Sequence, residues 1–542
     1  MASGRRLRRT WGIDESLQNE PCRVRDWSEL PPSWAVVPLG ALAEINPRVV
    51  ALPQSDASPV HFVPMRAVTE EFGGIDVAER RPFGTVKKGY TAFQAGDVLF
   101  AKITPCMENG KLALVPALDD GIAFGSTEFH VVRAVANVTP KWSAHFLSQA
   151  AFRKFARRHM TGTAGQLRVA TPWLLGTRLP VAPAAEQTRI VDKLEELLSD
   201  LDAGVAELKA AQKKLAQYRQ SLLKAAVEGR LTEAWRAEQS KPDESGPQLL
   251  ARILRERRAR WEAKQLAKFE VQDKTPPKGW KDKYPEPVST NTTGLPALPQ
   301  GWVWASLDQL ALTVRNGLSQ KPGVEPVGYP ILRINAVRAM AVNLAEVRFL
   351  SITDDEAAEY TLDEGDLLVT RYNGSVDLLG VMGVVRGLQR PTVHPDKLIR
   401  IKPVLRSMLA DWMEVCAAVG SSRAHVVSRV KTTAGQTGIS GDDIKKMPIP
   451  LASMTEQTVA IEIVAVALRE IASQGDSITL ALRQSAAQRK NILQAAFSGR
   501  LVPQDPNDEP ASVLLARIRA ERVATDRTRT GERRARRPAA PA

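Results

Sequence analysis

The sequence predicts an α+β protein that is built twice, with two mixed, strand-rich globular domains and two long helices that pair as an antiparallel coiled coil. Two observations predict this fold. Blocks of the first half recur in the second half in the same order, and each copy ends in a stripe of apolar residues at helical spacing. The 542 residues, 44% hydrophobic and 25% charged, have the composition of a globular protein and the length of roughly three or four domains.

The internal repeat has a long period, because each landmark of the first half returns roughly 270 residues later. The paired landmarks are 30–34 and 298–302 (Leu-Pro-x-x-Trp), 96–102 and 365–371, 163–166 and 433–436 (Thr-Ala-Gly-Gln), 186–188 and 456–458 (Glu-Gln-Thr), and 229–231 and 499–501 (Gly-Arg-Leu). Since the order is kept and the spacing drifts by only a few residues, the chain is predicted to be a pseudo-two-fold duplication.

The globular parts of the two copies, 30–183 and 298–451, are predicted to be rich in strands. Short apolar runs at 98–103, 112–115 and 129–132 have counterparts at 367–370, 381–385 and 398–401, with turn residues between them. Asp97 and Asp366 precede the main strand of each copy, where an aspartate most simply caps a turn; a metal-binding or catalytic role is the alternative. One helix, at about 140–159 in the first copy, is predicted to pack on each sheet.

Each globular part is followed by a helical region, 184–272 in the first copy and 452–522 in the second, with a proline-rich connector at 273–297. A long helix is predicted at 186–229, and Gly229 and Gly499 are typical helix-ending glycines. Its apolar seam is Ile190, Leu194, Leu197, Leu201, Val205, Leu208, Leu215, Leu222 and Ala226, matched by Ile461, Val464, Leu468, Ile471, Ile478, Leu482 and Ile492. A lone helix cannot bury such a stripe, so we expect the two helices to pair; the alternative is that each packs only on its own globular part.

Two further expectations concern the rest of the helical regions. The connector is long enough to run back along the first long helix if it is extended. A basic helix at 249–268 is expected to have a shorter equivalent in the second copy.

The motifs of common active sites are missing from the sequence. The six histidines never fall in zinc-ligand spacing, the three cysteines are too few and too scattered for a metal cage, and no phosphate-binding glycine loop follows a strand. We therefore expect a recognition protein that has no catalytic residues, no metal site and no cofactor of its own. An enzyme with an unrecognised site and a purely structural coiled-coil scaffold with only nonspecific nucleic-acid affinity remain the alternatives.

The charge favours a polyanionic partner, because 74 lysines and arginines face 60 acids and give a net charge of +14. Loops that follow strands carry residue types that bind phosphates or base edges, and they recur at equivalent places in both copies. The candidate DNA-binding residues are Lys102, Asn109, Lys111, Thr163, Gln166 and Arg168 in the first copy, and Arg371, Tyr372, Asn373, Lys431, Thr433 and Gln436 in the second. Arg153, Lys154, Arg157 and Arg158 form a basic stripe that either contacts phosphates or is a solvated helix face.

The chain resembles the specificity subunits of type I restriction–modification systems over nearly its whole length. The resemblance is carried by the two Leu-Pro-x-x-Trp segments, by the lead-in to the long helix that ends in Glu186 and Gln187, by the two Gly-Arg-Leu segments and by the stretch at 491–505. It implies that each globular part is a target-recognition domain for one half of an asymmetric, bipartite site in double-stranded DNA. It further implies that the helices set the spacer and dock two methyltransferase subunits, which endonuclease/translocase subunits join.

The resemblance also implies where the chemistry lies. S-adenosylmethionine, ATP and magnesium would belong to the partner subunits, which methylate adenine at N6. The expected division of the chain is an N-terminal extension (1–29), recognition domain 1 (30–183), helical region 1 (184–272), the connector (273–297), recognition domain 2 (298–451), helical region 2 (452–522) and a disordered basic tail (523–542). With so few cysteines and no apolar run of membrane-spanning length, we expect a cytoplasmic protein without a membrane partner.

Overall fold

The computed structural model describes residues 29–49, 55–135, 138–163, 165–239, 244–323, 325, 327–433 and 436–535. Two compact units make up the chain. Unit 1 combines the chain up to Leu208 with the chain from Leu480 onward, and unit 2 runs from Lys209 to Thr479. The predicted N-terminal extension, apart from Glu29, and residues 536–542 lie outside the described residues.

The first copy consists of the following elements. Its first part is β1 (Ala35–Pro38), β2 (Ala43–Ile45), β3 (Pro59–Val63), β4 (Arg80–Pro82), α1 (Phe83–Val86), β5 (Thr91–Gln94), β6 (Val98–Ala101), β7 (Leu112–Leu114), β8 (Ile122–Gly125) and β9 (Phe129–Ala134). Next come α2 (Pro140–Ser148), α3 (Ala150–Arg158), β10 (Thr161–Thr163), β11 (Gln166–Arg168), α4 (Thr171–Gly176) and β12 (Arg178–Val181). Its helical part is α5 (Ala184–Val227), α6 (Glu233–Glu238) and α7 (Gly246–Val271).

The second copy has its own set of elements. The strand-rich part starts with β13 (Val303–Ser306), α8 (Leu307–Leu310), β14 (Ala311–Asn316), β15 (Tyr329–Leu332), β16 (Val337–Arg338), β17 (Ala341–Val342), β18 (Val347–Leu350) and α9 (Asp354–Ala358). It continues with β19 (Leu367–Thr370), β20 (Met382–Val384), β21 (Leu398–Pro403), α10 (Arg406–Ala418), α11 (Gly420–Arg429), β22 (Lys431–Thr433), β23 (Gln436–Gly438), α12 (Gly441–Lys445) and β24 (Pro448–Leu451). Two helices end the copy, α13 (Met454–Ala496) and α14 (Ala511–Ala535).

The duplication predicted from the sequence is present in the sheets. An antiparallel sheet in the order β2-β9-β6-β7 in unit 1 corresponds to the sheet β14-β21-β19-β20 in unit 2. The pairs β1–β12 and β13–β24 correspond as well, as do the hairpins β10–β11 and β22–β23. The remaining strands of the two copies differ. Unit 1 has an additional four-stranded sheet, β4-β3-β8-β5, whereas unit 2 has the two-stranded sheets β15–β18 and β16–β17. The predicted strand-rich character of both globular parts is thus confirmed.

The single helix predicted at 140–159 is wrong, because the structure has two helices there, α2 and α3. Gln149 between them is extended, with ψ of 130°. This turn lets both helices face the core: Phe146 of α2 and Phe152 of α3 are buried with ring centroids 5.6 Å apart. The second copy breaks in the same place, where Val419 is extended and Gly420 has a φ of +61°.

The long helices pair in antiparallel fashion, as the apolar seam predicts. In unit 1, Leu198 of α5 shares a core with Leu493 of α13, and Asp202 forms an ion pair with Arg489. In unit 2, later residues of α5 meet earlier residues of α13: Leu223 shares a core with Val464. The alternative, in which each helix packs only on its own globular part, is therefore wrong. The middle of the seam is only half-buried, since two helices cover each other on one side.

Glycines end both long helices as expected. Gly229 and Gly499 have φ of +71° and +70°. In each case the next residue reaches back over the last turn, with Arg230 N–H donating to Ala225 O and Arg500 N–H to Ala495 O, both at 2.9 Å. This is the hydrogen-bond pattern of a Schellman stop, in which a left-handed residue needs glycine.

The end of the second helical region departs from the prediction. The second copy of the basic helix is shorter by only one residue, since α14 has 25 residues and α7 has 26. Residues 523–535, predicted as part of a disordered tail, continue α14. Their charge-rich sequence contains no proline, and the single glycine, Gly531, does not end the helix that begins at Ala511.

The connector runs back along α7 rather than along the long helix. Trp280 stacks on Trp261 of α7 at 5.9 Å between ring centroids, and Tyr284 meets the same ring edge-on at 5.4 Å. The Arg257 guanidinium of α7 donates to Tyr284 Oη and to Pro285 O. These aromatic contacts and hydrogen bonds hold the connector on α7. Among the described residues, no helix is both long and apolar enough to cross a membrane.

Candidate nucleic-acid interface

The aspartates in front of the main strands have structural roles. The Asp97 carboxylate is buried, accepts from Gln94 N–H at 2.8 Å and binds Arg133 through both oxygens at 2.7 and 2.6 Å. Asp366 accepts from Asp363 N–H at 3.0 Å in the equivalent turn. In the described part of the chain, no cluster of histidine, cysteine and acidic residues could hold a metal ion. The turn interpretation of both aspartates is confirmed.

The candidate loops form one module, which we call the hairpin module: the end of the main strand, the residues in front of the last strand of the sheet, and the following hairpin. In unit 1, Lys102 directly follows β6, and its backbone forms hydrogen bonds with two other segments. Its N–H donates to Glu128 O at 2.9 Å, and its carbonyl accepts from Val169 N–H at 2.8 Å. Thr104 then pairs with Leu167 of the hairpin through its N–H and its hydroxyl.

The hairpin module of unit 2 repeats this bonding pattern. Arg371 N–H donates to Lys397 O at 2.9 Å, and Arg371 O accepts from Ile439 N–H at 3.0 Å. Asn373 N–H then donates to Thr437 O of the hairpin at 3.2 Å. The structure thereby assigns equivalent positions: Lys102 to Arg371, Glu128 to Lys397, and Arg168 to Gly438, each pair at the same place in the ladder. Residues that are far apart in sequence meet at one surface in both units.

The charged side chains of the unit 1 module are largely paired. Arg168 binds Glu128 through Nε and Nη2, with the shortest distance 2.8 Å from Nη2 to Oε1. That hydrogen bond lowers the pKa of Glu128 and raises the pKa of Arg168. Lys111 Nζ points into the fold and donates to Met65 O and Val68 O at 3.2 and 2.9 Å. The Asn109 amide donates to the Glu70 carboxylate at 2.8 Å.

The basic stripe on α3 is divided between structural and exposed groups. Arg153 is buried and its guanidinium binds Ser148 O and the Glu71 carboxylate, at 2.5 and 2.6 Å. Arg157 pairs with Glu108 at 2.8 Å. Lys154 and Arg158 are exposed. The stripe is therefore not one continuous phosphate-binding surface, because an inward-facing arginine holds the helix to the loops beside it.

The two lysines of the unit 2 module are open to solvent. Lys397 and Lys431 are exposed, and no ion pair is found for either of them within the described residues. Arg371 is half-buried and lies over the ring of Tyr372, with Cζ 4.8 Å from the ring centroid. The Asn373 side chain accepts from Ser375 N–H at 3.0 Å, which shapes the loop. The unit 2 module thus has two exposed lysines and an arginine that lies over an aromatic ring.

The hairpin tips contain the remaining candidates. Thr163 and Gln166 are exposed in unit 1. Thr433 and Gln436 belong to the strands of the second hairpin, and their side chains lie outside what the structure describes. Sequence reasoning missed Glu128 and Lys397. Each stands directly before a predicted strand, and the equivalence of these two strands in the repeat is the signal that could have singled them out.

A second pair of equivalent clusters lies where each long helix begins. In unit 1, Trp34 Nε1 donates to Glu186 at 3.0 Å, and Gln504 donates to the same carboxylate. In unit 2, Trp302 Nε1 donates to Glu456 at 2.9 Å. These bonds explain why the Leu-Pro-x-x-Trp and Glu-Gln segments recur together: the tryptophan that begins each globular part is fixed to the helix that leaves it.

Fold and site together define a class: duplicated α+β proteins in which antiparallel long helices accompany two strand-rich domains, each with a polar hairpin module. The chain is 32% identical to the EcoKI specificity subunit of Escherichia coli K12 over 362 residues, 64% of each chain. It is 28% identical to the EcoEI specificity subunit of E. coli over 476 residues, covering 78% of this chain and 75% of the relative. The match thus spans less than two thirds of the first relative's length.

Structure comparison gives the same fold. A solved chain from a study of complex assembly and conformational transition of the type I restriction–modification system matches with a TM-score of 0.56. It is 19% identical and covers 87% of this chain and 99% of that one. No family model matches the chain. The chain is thus similar in sequence to curated type I restriction enzyme specificity subunits, and similar in fold to the solved chain.

Proposed function

We propose that this chain is the sequence-specific DNA-binding subunit of a type I restriction–modification complex and is itself not an enzyme. Each hairpin module reads one half of an asymmetric, bipartite site in double-stranded DNA. The observation that carries the proposal is the repetition of one hydrogen-bonded scaffold with different side chains, Lys102, Glu128 and Arg168 against Arg371, Lys397 and Gly438. Equivalent scaffolds with different surface groups suit two readers of different sequences.

The proposal for the rest of the complex is supported by the similarity to the specificity subunits. We propose residues 30–183 and 298–451 as the recognition domains, and 184–272 and 452–522 as the regions that set the spacer and dock two methyltransferase subunits and the endonuclease/translocase subunits. S-adenosylmethionine, ATP and magnesium belong to those subunits, and the complex works in the cytoplasm. The candidate contacts are the twelve residues named from the sequence, together with Glu128 and Lys397. Lys111 has the weakest case of the twelve because its amine is bonded inside the fold.

The test is selection of duplexes from a random library by the full-length chain co-purified with its methyltransferase. We expect enrichment of one motif with two defined parts and an unspecified gap. The double variant Arg371→Ala, Lys431→Ala should weaken the information content of one part only, while Lys274→Ala, which removes an exposed connector lysine, changes neither part. A library that returns no motif at all would favour the alternative of a scaffold with nonspecific affinity.

The spacer role of the helices has its own test. One heptad is added to both long helices at facing positions, near Leu208 in α5 and near Leu480 in α13, so that the seam keeps its register. Seven residues add about 10 Å to a helix, which is the length of about three base pairs. The selected motif should keep both defined parts and lengthen only its gap. Altered half-sites with an unchanged gap would contradict the spacer role.

A further inference from the structure

The Arg168–Glu128 pair in the unit 1 hairpin module leaves one edge of a guanidinium free. The Glu128 carboxylate accepts hydrogen bonds from Nε and Nη2 of Arg168, and Gln166 O accepts one from Nη1 at 3.3 Å. Of the five guanidinium protons, the two that remain are one on each terminal nitrogen, and they form the outer fork of the group. The Arg168 side chain is 40% exposed and Glu128 is 26% exposed, so the fork is accessible while its carboxylate support is mostly covered.

The support of this pair is rigid. Arg168 lies in β11 and forms a ladder bridge with Ile103, beside the bonds that join Thr104 to Leu167. Glu128 stands directly before β9, where its N–H donates to Ser126 Oγ at 3.2 Å and its carbonyl accepts from Lys102 N–H. Both partners are therefore held by backbone hydrogen bonds, and little side-chain freedom remains to be lost when the fork binds a ligand.

We infer that Glu128 is a positioning residue that orients Arg168 to read a guanine in the half-site of unit 1. A guanidinium fork matches the O6 and N7 acceptors of guanine and also matches a phosphate. The carboxylate decides between them, because it neutralises the charge of Arg168 and would repel a phosphate, whereas the direction of the two free N–H groups is retained. The inference rests on the proposed function and adds a base and a pair of residues to it.

The unit 2 module supports this assignment by contrast. At the position of Glu128 it has Lys397, and at the position of Arg168 it has Gly438, so no supported guanidinium occurs there. A carboxylate that served only to hold the shared scaffold would be needed in both units. Since the scaffold bonds are the same with and without it, Glu128 acts on the side chain of Arg168 rather than on the backbone.

The experiment uses the full-length chain in complex with its methyltransferase and the motif obtained by library selection. In the wild-type complex, one guanine of the unit 1 half-site should be invariant, and replacing it by 7-deazaguanine, which lacks the N7 acceptor, should weaken binding about tenfold. In Arg168→Ala the same replacement should have no further effect. An equal loss from 7-deazaguanine in the wild type and in Arg168→Ala would overturn the inference.

Replacing Glu128 should change two measured quantities in opposite directions, the discrimination for guanine and the salt dependence of binding. In Glu128→Gln the discrimination for guanine should fall about threefold to tenfold, while the log–log salt slope of binding becomes steeper because the charge of Arg168 is freed for phosphates. The control is Glu79→Gln in the same unit, which makes the same charge change beside Arg66 and Arg81 and should leave the guanine discrimination unchanged. A uniform loss of affinity over all bases in Arg168→Ala, or unaltered discrimination in Glu128→Gln, would overturn the inference but not the proposed function. Absence of any selected motif would overturn both.

Discussion

The two hairpin modules share a backbone scaffold but differ in the side chains around it. In unit 1 the carboxylate of Glu128 pairs with Arg168, whereas in unit 2 the equivalent residue, Lys397, adds to the positive charge of Arg371 and Lys431. Hydrogen bonds to directed donors specify bases, and unpaired cations bind phosphates. The comparison teaches that one duplicated scaffold can present different chemistry, a guanidinium paired with a carboxylate in unit 1 and exposed lysines beside an arginine in unit 2. Three experiments test how far the two units differ.

The largest expected effect is acid destabilisation through two buried histidines. His145 in unit 1 and His394 in unit 2 are almost fully buried, and burial lowers the pKa of each from 6.5 to about 4. The folded state then binds the proton less well than the unfolded state. The stability from each neutral histidine is complete above about pH 6.5, is lost as the pH falls toward 4, and amounts to about 3 kcal/mol at most.

The two histidines differ in their hydrogen-bond partners, so their substitution should affect the two units differently. His394 Nδ1 bonds Tyr360 O at 3.0 Å, whereas neither ring nitrogen of His145 has a partner among the described residues. His145→Leu should therefore remove the acid sensitivity of unit 1 at little cost at pH 7, and His394→Leu should lower the stability at pH 7 because Tyr360 O loses its donor. Urea unfolding at pH 7 and pH 4.5 measures both. Equal effects of the two substitutions would contradict the comparison.

A smaller effect is expected at the tryptophan–glutamate clusters. In unit 2, Glu456 faces the Arg236 guanidinium at 2.8 Å as well as Thr232 and Trp302, while in unit 1 Glu186 meets the neutral donors of Trp34 and Gln504. Glu456→Gln leaves a largely covered guanidinium without its counter-charge and should cost about 2 kcal/mol. Glu186→Gln should change the free energy of unfolding by less than about 1 kcal/mol at pH 7, because burial already disfavours that carboxylate.

The same pair gives a pH signature. Burial raises the pKa of Glu186 above 4.5. Its contribution to stability is therefore complete below pH 4.5 and is lost as the pH rises through the folded pKa. Glu186→Gln should flatten the stability profile of unit 1 in that window, measured by thermal unfolding between pH 4 and pH 7. A profile that keeps its shape in this variant would show that Glu186 is not responsible for it.

The sequence predicted the parts of the fold that depend on pattern. The repeat, the seam from Ile190 to Ala226 and the glycine stops are periodic or local, so they can be found without knowing which segments meet. The hairpin modules were predicted as separate loops, but their assembly could not be. Glu128 and Arg168 are 40 residues apart and meet only because β9 and β11 flank the same strand end. Lys111 was predicted to contact DNA, but its amine donates to carbonyl groups inside the fold. The residue type of a loop lysine does not determine whether its side chain is exposed.

The smallest expected effect, in free energy, is the exchange of charge between the modules. Lys397→Glu gives the unit 2 module the charge that unit 1 has at the equivalent position. If Lys397 contacts a phosphate, the log–log salt slope of DNA binding should become shallower by about one, and affinity at about 0.1 M salt should fall about tenfold, or about 1.4 kcal/mol, for every sequence alike. Lys274→Glu makes the same charge change on the connector of unit 2 and controls for net charge. Fluorescence anisotropy over a series of salt concentrations measures both variants. Should Lys397→Glu instead change which bases are preferred, Lys397 would read a base rather than bind a phosphate, and the contrast with Glu128 of unit 1 would have to be revised.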